Sequence, residues 1–150
     1  MSETDIAKLI QGISQLQQWR SQLLAEELSL PGTWIHTYEV NRLYLGSGNL
    51  ETYCYAKWQA HEPIFERKPK RSRRSTDPDQ HPGFTKHQHI GRVSSTTGLG
   101  MEPDVKTAYR SWRNRQRLEA IEATLCEIEA ILATAERLKP KSEVVEEDEI

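Results

Sequence analysis

The spacing of the apolar residues changes twice along this chain, and this change constrains the fold more than any other feature. In about the first 30 residues, apolar side chains recur at steps of three and four, the period of an amphipathic helix. From about residue 33 to residue 93 the period falls to two, as in β-strands. A second helical stripe follows. The order of helix, strands and helix predicts an α+β fold.

The N-terminal stripe predicts a helix over about residues 4–28. Ser2 or Thr4 can cap its first turn, because a hydroxyl oxygen there accepts a hydrogen bond from a free backbone N–H. The segment Leu30-Pro31-Gly32 follows, and proline and glycine typically end a helix.

The C-terminal stripe predicts a helix over about residues 103–138. Pro103 suits the first turn of a helix, where its missing N–H costs nothing. From Leu118 to Ala135 the apolar residues alternate between steps of three and four, a heptad-like seam typical of coiled coils. The stripe lapses at Asn114-Arg115-Gln116, so the sequence leaves open whether the helix is continuous there.

Each helix has an apolar stripe that is unfavourable in water. We therefore expect the helices at 4–28 and 103–138 to form an antiparallel pair within one chain. The same stripes can pair between chains, so a homodimer or a complex with a partner protein stays open.

Three strands are predicted between the helices, over about residues 34–45, 52–58 and 84–93, and the second can extend to Phe65. A turn at 46–49 joins the first two, and no connection has room for a helical crossover, so the pairing should be antiparallel. In the second strand, Tyr53, Tyr55 and Lys57 share one face, and Cys54, Ala56 and Trp58 share the other.

Charge is unevenly distributed along the sequence, although the formal net charge is only −2. The stretch from Lys57 to Arg92 holds nine Lys and Arg against four Asp and Glu, whereas residues 143–150 hold five Asp and Glu and no Lys or Arg. A basic middle and an acidic end bear on the choice of partners. The segment 67–83 combines charge and proline with no larger apolar residue, which predicts a mobile basic loop.

The length allows one domain, and we expect a single elongated domain over 1–138, followed by a disordered acidic tail over 139–150. No run approaches the roughly 18 apolar residues of a membrane span, and the N-terminus lacks the pattern of a secretory signal. The two cysteines are too few for a disulfide framework or a four-cysteine zinc site. A cytoplasmic location is therefore expected.

Two groups of basic residues predict contacts with nucleic-acid phosphates. The first group lies within the basic loop and the third strand. It comprises Arg67, Lys68, Lys70, Arg71, Arg73, Arg74, Lys86 and Arg92. The second lines one face of the last helix at steps of four, three and four, and comprises Lys106, Arg110, Arg113 and Arg117. Tyr109 and Trp112 border this row, and we expect both to be core residues. The alternative is a solvated charged surface without a ligand.

The remaining polar clusters give weaker evidence for a metal, catalytic or phosphate-binding site. His87 and His89 lie on one side of the third strand, and Cys54, His61 and His81 are further candidate metal ligands. No C-x-x-C or H-x-x-x-H spacing supports them, so neither a metal nor another cofactor is expected. Residues 94–97 show no nucleophile elbow, and no catalytic residue is predicted. Gly98-x-Gly100 can cradle a phosphate at a helix N-terminus, or simply be a flexible entry to the helix.

Part of the sequence resembles short β-sheet modules of prokaryotic mobile-element, plasmid and transposase-associated proteins. The resemblance covers about residues 32–93 and rests on Tyr53-Cys54-Tyr55, Trp58 and the closing His89-Ile-Gly-Arg-Val93. It implies a nucleic-acid context. The acidic catalytic cluster of a transposase has no counterpart in the chain, so the resemblance implies an accessory role.

These features predict a non-enzymatic nucleic-acid-binding accessory protein, with DNA favoured over RNA. The alternative is a structural or adaptor protein whose amphipathic helices mediate self-assembly or partner binding. No membrane partner is expected.

Overall fold

The computed structural model describes residues 1–68 and 83–141. Within them, the elements in chain order are α1 (Glu3–Leu24), β1 (Thr33–Tyr44), β2 (Asn49–Ala60), β3 (Phe65–Glu66), β4 (Phe84–Thr85), β5 (His87–Ser95) and α2 (Pro103–Leu138). Two helices and a three-stranded antiparallel sheet confirm the predicted α+β fold of the described chain. Most of the predicted basic loop and of the acidic tail lies outside the described residues.

The chain divides into two compact units. Of the described residues, the helical unit comprises 1–22 and those from Leu118 onward, and the sheet unit comprises those between Leu23 and Arg117. The first part of α2 therefore belongs to the sheet unit and the rest to the helical unit. α2 is continuous through Asn114–Gln116, although its apolar stripe lapses there.

In the helical unit, α1 begins with a reciprocal cap. The Asp5 backbone N–H donates to Ser2 Oγ over 3.2 Å, while the Ser2 hydroxyl and backbone N–H donate to Asp5 Oδ2 over 2.8 Å and 3.1 Å. These bonds satisfy polar groups at the first turn that have no helical partner. The hydrogen bond from the Ser2 side chain, and then that from its backbone, lower the pKa of the Asp5 carboxyl. Of the two predicted caps, Ser2 is the one used.

An ion pair joins the two helices of this unit, with Arg20 Nε 3.2 Å from Glu122 Oε1. Arg20 lies near the end of α1, and Glu122 lies near the start of the part of α2 that belongs to the helical unit. The antiparallel pairing of the two helices stays a prediction, because a single contact does not fix their relative direction. The pair itself is half-exposed, so it contributes at most about 1 kcal/mol to stability.

The prediction that the first helix reaches residue 28 is wrong, because α1 ends at Leu24. Leu28 continues the apolar spacing, but it lies in the non-helical segment after α1, which belongs to the sheet unit. Three hydrogen bonds from or to α2 hold the backbone of that segment: Ser29 N to Ser111 O at 3.2 Å, Asn114 Nδ2 to Glu27 O at 3.3 Å, and Arg115 Nε to Ser29 O at 2.7 Å. These bonds with α2 take the place of further helical turns in α1.

The sheet has the strand order β1-β2-β5. β1 pairs with β2 from Thr33 opposite Ala60 to Tyr44 opposite Asn49. In the turn between them, Gly48 has a φ of 68° and its N–H donates to the Tyr44 carbonyl over 2.8 Å. Glycine adopts this left-handed conformation without steric cost, which explains the predicted turn.

Two strand predictions need correction. β2 ends at Ala60, and Phe65 instead belongs to a two-stranded ribbon in which β3 pairs with β4. The predicted third strand is divided at Lys86, because β4 pairs with β3 while β5 pairs with β2. The Lys86 carbonyl accepts a hydrogen bond from the Ala60 N–H over 2.9 Å at this division.

The first part of α2 packs on one face of the sheet. The buried core consists of Ile35, Ala56, Val105 and Ala108, with Trp58, Ile90, Val93, Tyr109 and Trp112 packed against it. Burying a side chain such as Val105 stabilises the fold by about 1.5–3 kcal/mol. Ala56 and Trp58 therefore lie on the face predicted for them. Gly91 permits a close approach, since a Cβ there would lie 3.2 Å from Val105 Cγ2.

Candidate nucleic-acid interface

The basic row of α2 lies beside an open groove of about 550 Å³ in the sheet unit. The groove is lined by Met101, Lys106, Tyr109, Arg110 and Arg113. The three cationic side chains are exposed, and no acidic side chain is among the described residues that line the groove. The predicted spacing therefore does bring these cations together at one surface.

The row continues to Arg117, which is exposed and follows Arg113 by four residues. Residues four apart on a helix lie on the same face. Arg115 does not belong to this row, and its Nε donates to the Ser29 carbonyl over 2.7 Å. We refer to Lys106, Arg110, Arg113 and Arg117 as the α2 basic row.

Tyr109 and Trp112 are both half-buried and pack against the core, which confirms their assignment as core residues. Their ring centroids lie 6.2 Å apart. Tyr109 also lines the groove, so an aromatic ring lies beside its cations.

The other predicted basic residues differ in their surroundings. Arg67, Lys68 and Lys86 are exposed. We call residues 67–83, the predicted basic loop, the basic segment. Its two ends meet, because the Arg67 N–H donates to the Gly83 carbonyl over 3.0 Å. Four of its predicted basic residues lie outside the described residues, namely Lys70, Arg71, Arg73 and Arg74.

Arg92 is held by the protein itself. Its Nη1 lies 3.3 Å from Glu102 Oε1, and its Nε donates to the Gly100 carbonyl over 3.4 Å. The side chain is half-buried. An ion pair at this position stabilises the entry to α2 and leaves less of the guanidinium for phosphate.

The face of the sheet opposite α2 carries a cluster of aromatic rings. The β1–β2 register places Tyr38 opposite Tyr55, with their ring centroids 5.9 Å apart. The Tyr55 ring also lies 6.1 Å from that of Tyr53 and 5.6 Å from that of His89. Tyr55 is therefore surrounded by rings from all three strands.

Two cations lie over rings of this cluster. Lys57 Nζ is 5.2 Å from the Tyr38 centroid, and the Arg42 guanidinium carbon is 5.4 Å from the Tyr53 centroid. Such contacts are favourable because the ring face carries negative charge density. We define the tyrosine face as Tyr38, Tyr44, Tyr53, Tyr55 and His89, with Arg42 and Lys57.

Hydrogen bonds fix one end of the tyrosine face. The Tyr53 hydroxyl donates to Glu51 Oε2 over 2.7 Å and lies 3.0 Å from the Tyr44 hydroxyl. The Tyr44 hydrogen bond, and then that with Glu51, raise the pKa of the Tyr53 phenol. The phenol is therefore neutral at physiological pH and adds no negative charge to this surface.

The sequence alone predicts no role for the tyrosine face. Alternation along the second strand puts Tyr53, Tyr55 and Lys57 together, but Tyr38 and His89 join them only through the register of three strands. The alternation of tyrosines along the first two strands was the available signal.

The candidate metal ligands Cys54, His61 and His89, which the structure describes, lie in different surroundings. Cys54 lies on the core side of β2, His89 lies on the tyrosine face, and the His61 ring lies 4.7 Å from that of Trp34. His81 lies outside the described residues. No group of three or more His, Cys, Asp or Glu residues that could hold a metal ion occurs in the part of the chain that the structure describes.

The turn before α2 uses its polar groups internally. The Ser95 hydroxyl accepts from the Leu99 N–H over 3.2 Å and lies 2.6 Å from Thr97 Oγ1, while the Gly98 N–H donates to the Ser95 carbonyl over 3.2 Å. Gly98 has a φ of 85°, as expected in a tight turn. These bonds favour the structural interpretation of Gly98-x-Gly100 over a phosphate cradle.

No family model matches the chain, and no curated protein or solved structure matches it. Across residues 1–68 and 83–141, no helix is both long and apolar enough to span a membrane.

Proposed function

We propose that this protein is a non-enzymatic accessory protein that binds nucleic acid, with DNA favoured over RNA. The observation that carries the proposal is the groove at which Lys106, Arg110 and Arg113 meet without an acidic lining residue among those described. Cations grouped in this way neutralise backbone phosphates and release the counterions bound to them. The resemblance to mobile-element modules supports the same context.

In the proposal, the basic segment and Lys86 supply further phosphate contacts. Arg67, Lys68 and Lys86 are exposed in the sheet unit, and the cations at 70–74 are contiguous with the first two in sequence. Together with the α2 basic row they would contact phosphates. Arg92 instead has a positioning role through Glu102.

The test is a charge reversal with a matched control. Arg110→Glu with Arg113→Glu should weaken binding to a labelled DNA duplex by at least about 10-fold at low salt, measured by fluorescence anisotropy. Lys8→Glu with Lys139→Glu makes the same change in net charge on exposed residues that are not among those lining the groove, and should change affinity far less. If both variants lost affinity equally, the loss would come from the change in net charge alone. That result would contradict a role for the groove.

A second candidate is the structural or adaptor role, which a specific observation favours. Within the described part of the helical unit, no residue of α1 is buried, and large apolar side chains are exposed on both helices. They include Ile6, Leu9, Ile10, Ile131, Leu132 and Leu138. Such side chains suit a homodimer or a partner protein.

Light scattering during size-exclusion chromatography tests this candidate. If the helices self-assemble, the native chain should elute as a dimer or larger species, and Ile10→Glu with Ile131→Glu should convert it to a monomer. If the native chain is a monomer at all concentrations, self-assembly is excluded. The adaptor role would then require a different partner protein. Nucleic-acid binding and self-assembly can coexist, since they use different residues.

A further inference from the structure

The tyrosine face has the geometry of a stacking surface. Tyr55 lies at its centre, and the rings of Tyr38, Tyr53 and His89 surround it at centroid distances of 5.6–6.1 Å. Tyr53 and Tyr55 are nearly parallel, with an interplanar angle of 15°. Tyrosine has few rotatable bonds, so rings held by such neighbours lose little entropy when a ligand binds.

The neighbouring charges identify the class of ligand. Lys57 and Arg42 lie over the rings of the tyrosine face, on two adjacent strands. The carboxylate of Glu51 lies nearby, and it accepts a hydrogen bond from the Tyr53 hydroxyl. Flat aromatic rings interleaved with cations are complementary to a ligand that alternates planar bases with phosphates.

From this geometry we infer that the tyrosine face binds single-stranded nucleic acid, with bases stacked on Tyr55 and its neighbours and phosphates near Lys57 and Arg42. Bases in a duplex are paired and stacked on each other, so their faces are not available to these rings. The inference rests on the proposed function and refines its ligand, because it adds single strands to the duplex expected at the α2 basic row.

The two surfaces can be tested separately. α2 packs on the core face of the sheet, and the tyrosine face is the opposite side of the same sheet. A substitution on the tyrosine face should therefore change single-strand binding without changing duplex binding at the α2 basic row.

The experiment compares two substitutions of the central ring. Tyr55→Leu keeps a large apolar side chain but removes the ring, whereas Tyr55→Phe keeps the ring and removes only the hydroxyl. The probes are labelled oligothymidine and oligouridine of roughly 12 nucleotides and a DNA duplex of the same length. Circular dichroism checks that each variant is folded.

We expect Tyr55→Leu to weaken single-strand binding about 10-fold, which corresponds to the loss of one stacked base. Tyr55→Phe should bind single strands within about twofold of the native chain, and duplex affinity should be unchanged in both variants. Tighter binding of either oligothymidine or oligouridine would identify DNA or RNA as the preferred strand. Should Tyr55→Leu not fold, Lys57→Gln replaces it, with the expectation of weaker single-strand binding alone.

Two outcomes would overturn the inference. One is single-strand affinity that is unchanged in a folded Tyr55→Leu variant. The other is an equal loss for single strands and duplex. Failure of the proposed function looks different, because the native chain would then bind none of the three probes at low salt.

Discussion

Tyr38 and Tyr55 lie directly opposite each other on β1 and β2, with their ring centroids 5.9 Å apart on the side of the sheet that α2 does not cover. A cross-strand aromatic pair contributes roughly 0.2–1 kcal/mol to stability. We therefore predict that Tyr38→Leu lowers the free energy of unfolding by no more than about 1 kcal/mol, measured by urea denaturation. A much larger loss would show that the rings mainly stabilise the sheet.

The close approach of β5 and α2 predicts a destabilising substitution at Gly91. A Cβ there would lie 2.5 Å from Glu102 Oε2 and 3.2 Å from Val105 Cγ2. Because Glu102 is paired with Arg92 and Val105 is fully buried, Gly91→Ala should cost about 1–3 kcal/mol in the free energy of unfolding.

Gly12→Ala is the matched control for this substitution. Gly12 lies in α1, and a Cβ there would meet nothing within 4 Å. Alanine is favoured over glycine inside a helix, so this change should stabilise the protein by up to about 1 kcal/mol. Equal effects of the two substitutions in thermal or chemical denaturation would contradict the packing at Gly91.

The hydrogen bond from Asn114 predicts the cost of releasing the segment after α1. Asn114 is 9% exposed, and its side-chain amide donates to the Glu27 carbonyl over 3.3 Å. Asn114→Ala should lower the free energy of unfolding by about 0.5–1.5 kcal/mol, because the part-buried hydrogen bond to the Glu27 carbonyl is lost. Gln116→Ala, an exposed change two residues along, should be nearly neutral in the same denaturation experiment.

Alkaline titration tests the hydrogen bonds around Tyr53. Bonds with Tyr44 and then Glu51 raise the pKa of the Tyr53 phenol, so Glu51→Ala should lower this pKa and increase the tyrosinate absorbance at about pH 11. Since the pKa is raised on folding, these bonds stabilise the native state fully below the unfolded value near about 10. This contribution is lost as the pH rises through the higher native value. An unchanged titration in Glu51→Ala would contradict the arrangement.

The sequence predicted correctly those helices and strands that depend on interactions between residues close together in the chain. Pro103 marked the start of α2 correctly, and regular apolar steps carried it to Leu138. The end of α1 was missed because the carbonyls of Glu27 and Ser29 are bonded by side chains 86–87 residues away. The residues around Leu28 give no indication of these distant hydrogen-bond partners.

The candidate sites divide in the same way. The α2 basic row was predictable, because helical spacing alone puts its residues on one face. The tyrosine face required the register of three strands and the bulges between β2 and β5, which are set by long-range pairing. For that reason alternation in β2 indicated two of its tyrosines but not the cluster.

The salt dependence of duplex binding by the native chain tests the central claim most directly. If the α2 basic row and the basic segment together contact about six phosphates, the logarithm of the association constant should fall with the logarithm of salt concentration with a slope of about −5. Arg110→Glu with Arg113→Glu should reduce that slope by about 2. A slope near zero, or no binding at low salt, would contradict the account.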